Sequence, residues 1–388
     1  MKEVLTSRER VYRTLNHEEG DRYPIDLGMH FSTGISVFAY YNLRKFLGLS
    51  TDRIQLADTV QLLARVDDDI LERFHCDTVI LNPPFRKLRE WHVRDNYRFL
   101  VPEQWKPEID DGYYVVRREE EKMRMPLNGF FFDGSWIQAK DYSDEENLKV
   151  LCQEAERIYR ETDKFTCLMG EFNAFFTDIE MACDMLTDPD KVKERNKAFL
   201  KSQTEKFFRV LDYGGGHVGC LEINADMGTQ SGPFFSNNCF EEFIFPYFRE
   251  FIRIVHENSN IKIFLHCCGS VKPFIPYFIE AGLDILNPVQ ISAANMDPTE
   301  LKTEFGKKIT FWGGGCNTQY VLGSKGEQEV RQNTRELCQI FKRGGGFVFN
   351  QVHNIMGNVP PENIVAVFDE AYKNSFYSDA GSSIGVAL

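Results

Sequence analysis

The sequence predicts an α/β protein in which one (β/α)8 barrel spans residues 1–388. Three observations indicate this: eight short apolar runs recur along the chain, helix-sized stretches separate most of them, and the spacing is regular from about residue 160 onward. A chain of 388 residues suits one such barrel, since these often exceed about 250 residues. A doubly wound open sheet is the alternative with the same alternation.

The elements are predicted in order from the N-terminus. Thr6 followed by Glu9 indicates a capping box, which opens a helix that carries Val11 and Leu15 on one face and ends near Gly20. The eight predicted strands lie at residues 23–28, 77–81, 165–170, 218–224, 261–267, 283–289, 309–315 and 346–352. Each connecting helix would return the chain to begin the next parallel strand.

The stretch at about 82–140 is too long for a single crossover connection. Within it, YYVVRREEEKMRMPLNGFFF has the alternation and the turn residues of a β-ribbon. We therefore expect an inserted excursion before the third strand, packed beside the barrel. Residues 377–388 are expected to form a loose tail.

Composition excludes several classes of partner. The 45 basic and 58 acidic residues give a net charge of −13, which disfavours nucleic acid and anionic membrane surfaces. The N-terminus lacks the apolar core of a signal peptide, and we find no stretch able to cross a bilayer, so a cytoplasmic protein is expected. Its ten cysteines are then reduced thiols, most of them core residues.

Two strand ends carry residues that predict a metal site. In IKIFLHCCGS, alternation places His266 and Cys268 on one face and Cys267 on the other. Their Cα atoms would lie about 6.5 Å apart, a span that an imidazole and a thiolate can close onto one metal. Cys316, in FWGGGCNT, is expected at the same rim. Three protein ligands with an open fourth position are typical of catalytic zinc. Taken singly, these residues also fit a core histidine and buried thiols.

Further polar residues are expected at this rim. The apolar positions of CLEINADMG suit the helix-facing side, so Glu222 and Asp226 would face the interior, where a buried carboxylate is costly unless it binds something. A hydrogen-bond network that holds the barrel closed is the alternative, above all for Glu222. Gln290 would be a weak fourth metal ligand or a substrate contact. The remaining rim candidates, each more often structural when taken alone, are His30, Glu171, Asn350 and His353.

The chain resembles the uroporphyrinogen decarboxylase superfamily, and within it the zinc-dependent, corrinoid-linked methyltransferases. The similar segments are TSRERVYRTLNHEEGDRYPIDLG, ADMGTQSGPFFS, HCCG, LNPVQ, WGGGCNT and FNQVHNIMGNVPPENIVAVFDEAY. In that branch an H-x-C pair and a later cysteine hold zinc, which implies His266, Cys268 and Cys316 here. The R-Q-A-G-R-Y motif of the decarboxylases is replaced by DLGMHFSTG, which argues against decarboxylation.

The resemblance implies one of two half-reactions. In the first, the cobalamin of a partner corrinoid protein takes a methyl group from a methoxylated, aromatic donor, and Asp226, His353 or Glu171 protonates the departing phenolate. Substrate contacts would come from Glu222, Gln290, His30 and Asn350. In the second, a zinc-bound thiolate takes the methyl group from methylcobalamin. The excursion and the phenylalanine-rich stretches favour the first.

Two readings from other classes stay open. A cofactor-free decarboxylase would need no metal but a basic pocket, and a corrinoid or metal carrier would need no catalytic groups. A homodimer is the assembly considered. The methyl donor, the acceptor and the identity of the corrinoid protein do not follow from the sequence.

Overall fold

Two helices, a short antiparallel hairpin and a third helix begin the computed structural model, which describes residues 3–83, 85–94, 96–176 and 178–377. These elements are α1 (Ser7–Leu15), α2 (Val37–Phe46), β1 (Leu56–Asp58), β2 (Leu63–Ala64) and α3 (Asp68–Arg73). The predicted capping box of α1 is confirmed, because Glu9 N donates to the Thr6 hydroxyl and Thr6 N donates to the Glu9 carboxylate. Of the expected tail, residues 378–388 lie outside the described residues.

The stretch expected to form an excursion contains two small antiparallel sheets. Their strands are β3 (Leu88–Val93) with β4 (Tyr97–Pro102), and β5 (Glu108–Asp110), β6 (Tyr113–Arg118), β7 (Glu121–Pro126) and β8 (Asp133–Gly134). Phe38 of α2 meets Phe99 and Phe130 edge-on, at centroid distances of 5.4 and 5.6 Å. These aromatic contacts hold the two sheets, hereafter the excursion, against α2.

A curled parallel sheet of six strands lies at the centre of the molecule, in the order in which the strands follow along the chain. The strands are β9 (Cys167–Leu168), β10 (Cys220–Asn224), β11 (Lys262–His266), β12 (Ile285–Asn287), β13 (Thr310–Trp312) and β14 (Phe347–Val348). Their register pairs Asn224 with His266 and His266 with Asn287. Three polar residues therefore lie side by side at the carboxyl ends of the strands.

Helices connect the strands of this sheet and cover its outer face. They are α4 (Asp144–Glu161), α5 (Ile179–Thr187), α6 (Pro189–Asp212), α7 (Asn237–Cys239), α8 (Phe245–Asn258), α9 (Ile275–Glu280), α10 (Pro298–Phe305), α11 (Glu327–Phe341) and α12 (Pro361–Ser375). No helix within the described residues combines the length and the apolar character that a bilayer crossing needs.

The first two of the eight predicted strands, 23–28 and 77–81, are not strands in the part of the chain that the structure describes. They make single parallel bridges, Ile25 with Phe349 and Thr78 with Phe165, at the two edges of the sheet. Asp77 N also donates to Ile25 O at 2.8 Å. Ile25 N donates instead to the Asp77 carboxylate, so a side chain takes the place of a ladder partner.

Alternation along the strands separates two apolar layers. Outward side chains such as Leu221, Ile223 and Leu265 join the helices in the larger core. Inward side chains such as Phe264 and Trp312 form a second cluster that fills the inner face. Because this interior is packed, a ligand inside the ring of helices would bind above it, at the carboxyl ends of the strands.

Candidate metal centre at the carboxyl ends of the strands

His266 and Cys268 converge at the end of β11. His266 is the last residue of the strand, and the intervening Cys267 is buried in the outer core, where it accepts a hydrogen bond from Met227 N. The Cys268 sulfur lies 3.5 Å from His266 Nε2. With metal bonds of about 2.0 to 2.3 Å, nitrogen and sulfur ligands of a tetrahedral zinc lie roughly 3.6 Å apart. The pair therefore has the spacing of two ligands of one ion.

The turn after Cys268 is fixed by its neighbours. Gly269 has φ +90°, and a side chain there would meet the backbone of Gly228 at 2.4 Å. Gly269 N donates to Gln290 Oε1 at 2.8 Å. The predicted fourth ligand or substrate contact, Gln290, thus uses its carbonyl oxygen to hold the loop that carries Cys268.

His353 completes a group of three donors. One ligand atom each of His266, Cys268 and His353 lie within 4.8 Å of one another, and no other such group of histidine, cysteine or carboxylate side chains occurs among the described residues. Burial, reinforced by repulsion from His266, lowers the pKa of His353 to about 4. Burial also lowers the pKa of His266. Both imidazoles are therefore neutral at pH 7 and offer lone pairs.

Cys316, the third ligand expected from the sequence, is not part of this group. Its thiol is fully buried in the outer core, and burial raises its pKa to about 12 against the opposing effect of the neighbouring Thr334 of α11. Gly313 and Gly314 precede it with φ of +113° and +78°, which interrupts the alternation of the strand. The backbone turns before Cys316, so its side chain faces the helices and His353 is the third donor beside the pair.

Asn287 fixes the orientation of the His266 ring. Asn287 Nδ2 donates to Trp312 O at 2.9 Å, which leaves Oδ1 as an acceptor for His266 Nδ1 at 2.9 Å and for the Ser32 hydroxyl at 2.7 Å. His266 Nδ1 must therefore carry the hydrogen, and its Nε2 directs a lone pair at the side of Cys268. A hydrogen-bonded second nitrogen of this kind is usual for histidines that bind metals.

Glu222 and His30 extend this network across the inner face. His30 Nε2 lies 2.7 Å from Glu222 Oε1, and Gly170 N donates to Glu222 Oε2 at 2.7 Å. Burial opposes the charge of this carboxylate, but the attraction and hydrogen bond of His30 prevail and lower the pKa of Glu222. The His30 ring is centred 5.4 Å from that of His266. The alternative weighed for Glu222, a satisfied hydrogen-bond network, describes these contacts.

Of the three residues predicted for proton transfer, two lie at the centre. Asp226 Oδ1 accepts from Cys268 N at 2.9 Å and lies 3.9 Å from His266 Nε2, and its side chain is 60% exposed. His353 belongs to the donor group itself. Glu171 lies apart from them, where Asn147 and Lys206 contact its carboxyl group and burial raises its pKa.

Asn350 lies behind the centre, fully buried. Its Nδ2 donates to Asp26 O at 3.1 Å and to Thr33 O at 3.3 Å. Its Oδ1 has no hydrogen-bond partner among the described residues. Asn350 therefore ties the end of β14 to the segment on both sides of His30, and the structure records no contact between it and the three donors.

The donor set fits zinc. Two neutral imidazoles and one thiol are the nitrogen and sulfur ligands that zinc takes in catalytic sites, where three protein ligands leave one position open. Burial and the nearby Asp226 carboxylate raise the pKa of the Cys268 thiol, so a cation is what would draw off its proton. Asn287 supplies the supporting hydrogen bond that such a site needs.

Two residues of this network were not found from the sequence, Asn287 and Ser32. A signal for Asn287 existed, because LDILNPV places one polar side chain at a strand end beside His266. Ser32 lies in an irregular loop, where neither periodicity nor spacing indicates a direction. Only the fold brings it to Asn287.

Comparisons with known proteins agree with the architecture. The family model described as uroporphyrinogen decarboxylase (URO-D) matches residues 135–374. No curated protein sequence matches the chain. Among solved structures, a methyltransferase from Methanosarcina mazei is similar, with a TM-score of 0.57 and 13% sequence identity over 95% of this chain and 99% of that one. At this identity the likeness concerns the fold.

Proposed function

Since this chain belongs to the uroporphyrinogen decarboxylase family, we propose that it is a zinc-dependent methyltransferase, which moves a methyl group from a methoxylated aromatic donor to the cobalamin of a partner corrinoid protein. The observation that carries the proposal is the group formed by His266, Cys268 and His353 at the carboxyl ends of the strands. Catalytic groups of folds with parallel strands and outer helices collect at these ends.

The metal would be held by these three side chains. Zinc, when bound, supplies a Lewis acid for an ether oxygen or a cation that lowers the pKa of a bound thiol. Asn287 keeps the His266 Nε2 lone pair available, and the bond from Cys268 N to Asp226 holds the cysteine loop in place. Gln290 supports the same loop through Gly269 N.

A proton is needed when the aryl oxygen leaves. In the proposed reaction the bond from the methyl carbon to oxygen breaks, the methyl group joins the cobalt of cob(I)alamin, and the phenolate takes a proton. The Asp226 carboxyl group lies beside these donors, with Oδ1 at 3.9 Å from His266 Nε2. Glu171 is the second candidate, because burial raises the pKa of its carboxyl group even though Lys206 lies beside it.

A methylcobalamin:thiol methyltransferase is the second candidate function. One thiolate and two neutral imidazoles carry a single negative charge, so a divalent cation held by them keeps a net positive charge. That charge favours the binding of a thiolate at the open position. The same centre therefore suits either direction of methyl transfer.

Decarboxylation, the activity in the family's name, is disfavoured. A substrate with several carboxylates needs free cations, whereas Lys206 and Lys140 near the strand ends contact Glu171 and Asp144. The buried His30 is likewise paired, with Glu222.

The test combines metal content with methyl transfer. Wild-type protein is expected to retain stoichiometric zinc and to convert cob(I)alamin to methylcobalamin with methoxyarenes, which the absorption spectrum follows. Cys268→Ala should lose both, whereas Cys183→Ser, an exposed thiol on α5, should lose neither. Zinc that survives Cys268→Ala would refute the metal assignment. Zinc-dependent methylation of thiols by methylcobalamin, without activity on methoxyarenes, would select the second candidate.

A further inference from the structure

A cavity of about 290 Å³ lies between the strand ends and the excursion side of the molecule. Residues 169–171, which follow β9, form one wall, and residues 138–142, which follow β8, form another. Phe31, Phe85 and Met169 give it an apolar surface. A cavity of roughly 150 Å³ already admits benzene, so this one has room for a single ring with substituents.

The charges of the lining disfavour anionic ligands. Among the described lining residues, three carboxyl groups face two ammonium groups. Lys206 Nζ donates to Glu171 O at 2.7 Å and contacts Glu171 Oε2 at 3.5 Å, and Lys140 Nζ contacts Asp144 Oδ1 at 2.9 Å. The third carboxylate, Asp141, accepts a backbone N–H at 2.5 Å. Both lysines already contact a carboxyl group of the lining, so an anionic ligand would have to compete with that group for each of them.

Glu171 instead offers a place for a hydroxyl donor. Its side chain is 12% exposed, and one oxygen accepts from Asn147 Nδ2 at 3.0 Å, while the contact of the other with Lys206 is long, at 3.5 Å. A carboxylate has about four lone-pair positions, so acceptor capacity remains. A phenolic hydroxyl can donate there, whereas a ligand carboxylate cannot donate and is repelled.

A short series of contacts joins the cavity wall to the candidate metal centre. Gly170, in the cavity wall, donates its N–H to Glu222 at 2.7 Å, and Glu222 bonds His30 at 2.7 Å. The rings of His30 and His266 are 5.4 Å apart. Phe31, which lines the cavity, is the next residue after His30. Two side chains, those of Glu222 and His30, therefore link the cavity wall to His266.

We propose that this cavity binds an uncharged, hydroxyl-bearing aromatic compound of one ring and rejects ring carboxylates. Phe31, Phe85 and Met169 contact the ring, Glu171 accepts its hydroxyl, and the surplus of carboxyl groups sets the charge preference. The role of this compound as the methyl donor rests on the proposed function; its binding does not, because none of the cavity contacts requires the metal.

The experiment is equilibrium binding of 2-methoxyphenol and 2-methoxybenzoate to the full-length protein at pH 7, by calorimetry, with and without zinc. The phenol is expected to bind at least about tenfold more tightly, since a hydrogen bond to a charged group contributes on the order of a tenfold to hundredfold preference. Glu171→Gln should weaken the phenol about fivefold and strengthen the benzoate about tenfold, because it frees Lys206 for the carboxylate.

A filling substitution tests the location. Ala139→Phe, in the lining, should abolish binding of both compounds, and Ser202→Phe, on the exposed face of α6, should leave binding unchanged. Thermal unfolding confirms that both variants fold. Equal affinity for the two ligands, or undiminished binding in folded Ala139→Phe, would overturn the proposal. Binding of the phenol without any methyl transfer would leave the cavity assignment intact and refute the proposed function instead.

Discussion

At the amino ends of the strands, Asp77 accepts from Arg10 at 2.5 Å and from Arg22 at 2.7 Å, whereas at the carboxyl ends the Cys268 sulfur faces an imidazole nitrogen at 3.5 Å. Both regions bury groups that can ionise. In the first, each charge has its counter-charge, and attraction to Arg10 holds the pKa of Asp21 low despite burial. In the second, neutral donors turn lone pairs toward one point. Burial of polar groups alone therefore does not mark a functional site, whereas convergence of neutral nitrogen and sulfur donors indicates one.

The largest effect on stability is expected from Asp77→Ala, which removes a buried carboxylate at the amino ends of the strands. Asp77 is fully buried, and its loss removes the carboxylate that two buried guanidinium groups share, which leaves Arg10 with Asp21 and Arg22 with the partly exposed Glu3. We expect the free energy of unfolding to fall by about 3 to 5 kcal/mol, measured by denaturant titration of the metal-free protein. Asp369→Ala, which removes the exposed pair with Arg73, is the control and should cost at most about 1 kcal/mol. Similar losses of unfolding free energy in both variants would contradict the expected difference between the buried and the exposed ion pair.

His353→Ala, at the carboxyl ends of the strands, should affect metal binding more than stability. It should change the stability of the metal-free protein by less than Asp77→Ala does, but weaken zinc by about a hundredfold or more, since one of three donors is removed. Chelator competition measures the affinity. Cys316→Ala is the matched comparison and should keep zinc, because its thiol faces α11 in the structure. Loss of zinc in Cys316→Ala with retention in His353→Ala would show that the cysteine is the third ligand.

Asn287→Ala should have a smaller effect on the same affinity. Without Asn287 Oδ1 the His266 ring loses the partner that holds its hydrogen on Nδ1. Removal of such a supporting residue typically weakens metal binding by about 10- to 100-fold. Replacement of zinc by cobalt gives an independent readout, because the visible spectrum reports distorted ligand geometry. An unchanged zinc affinity and cobalt spectrum would mean that Asn287 fills space in the core without orienting the His266 ring.

The pH dependence of zinc binding should correspond to the release of one proton. Between pH 5 and 8 the affinity is expected to rise about tenfold per pH unit, about 1.4 kcal/mol, because binding releases the single proton of Cys268, whose pKa is raised. His353, with its pKa lowered to about 4, is already deprotonated across this range and adds no further proton. A slope near two or three protons would show that the imidazoles titrate normally.

The strand ends were predictable where alternation is regular. A strand turns each second side chain to the same face, and this sufficed to pair His266 with Cys268 and to exclude Cys267. The same counting placed Cys316 beside this pair, whereas in the structure its side chain turns toward the helices, because Gly313 and Gly314 adopt positive φ and change the direction of the chain. Beyond such a run of glycines, the spacing of residues along the chain no longer predicts which way a side chain points.

The first two strands show a second limit of sequence patterns. Residues 23–28 and 77–81 have the apolar character of strands, yet the Asp77 carboxylate takes the N–H of Ile25, and single bridges result. The network of Asn287 and Ser32 joins residues that are 255 positions apart. Neither contact has a local signature, so only the folded chain reveals them.

The two walls of the cavity have separate origins: one follows a strand of the central sheet, the other a strand of the excursion. The proposed ligand contacts are thereby encoded in separate stretches of the chain. Exchange of residues 82–142 would change the wall that carries Phe85 while Phe31, Glu171 and the three donors stay in place, so laboratory redesign can vary this wall separately from the rest.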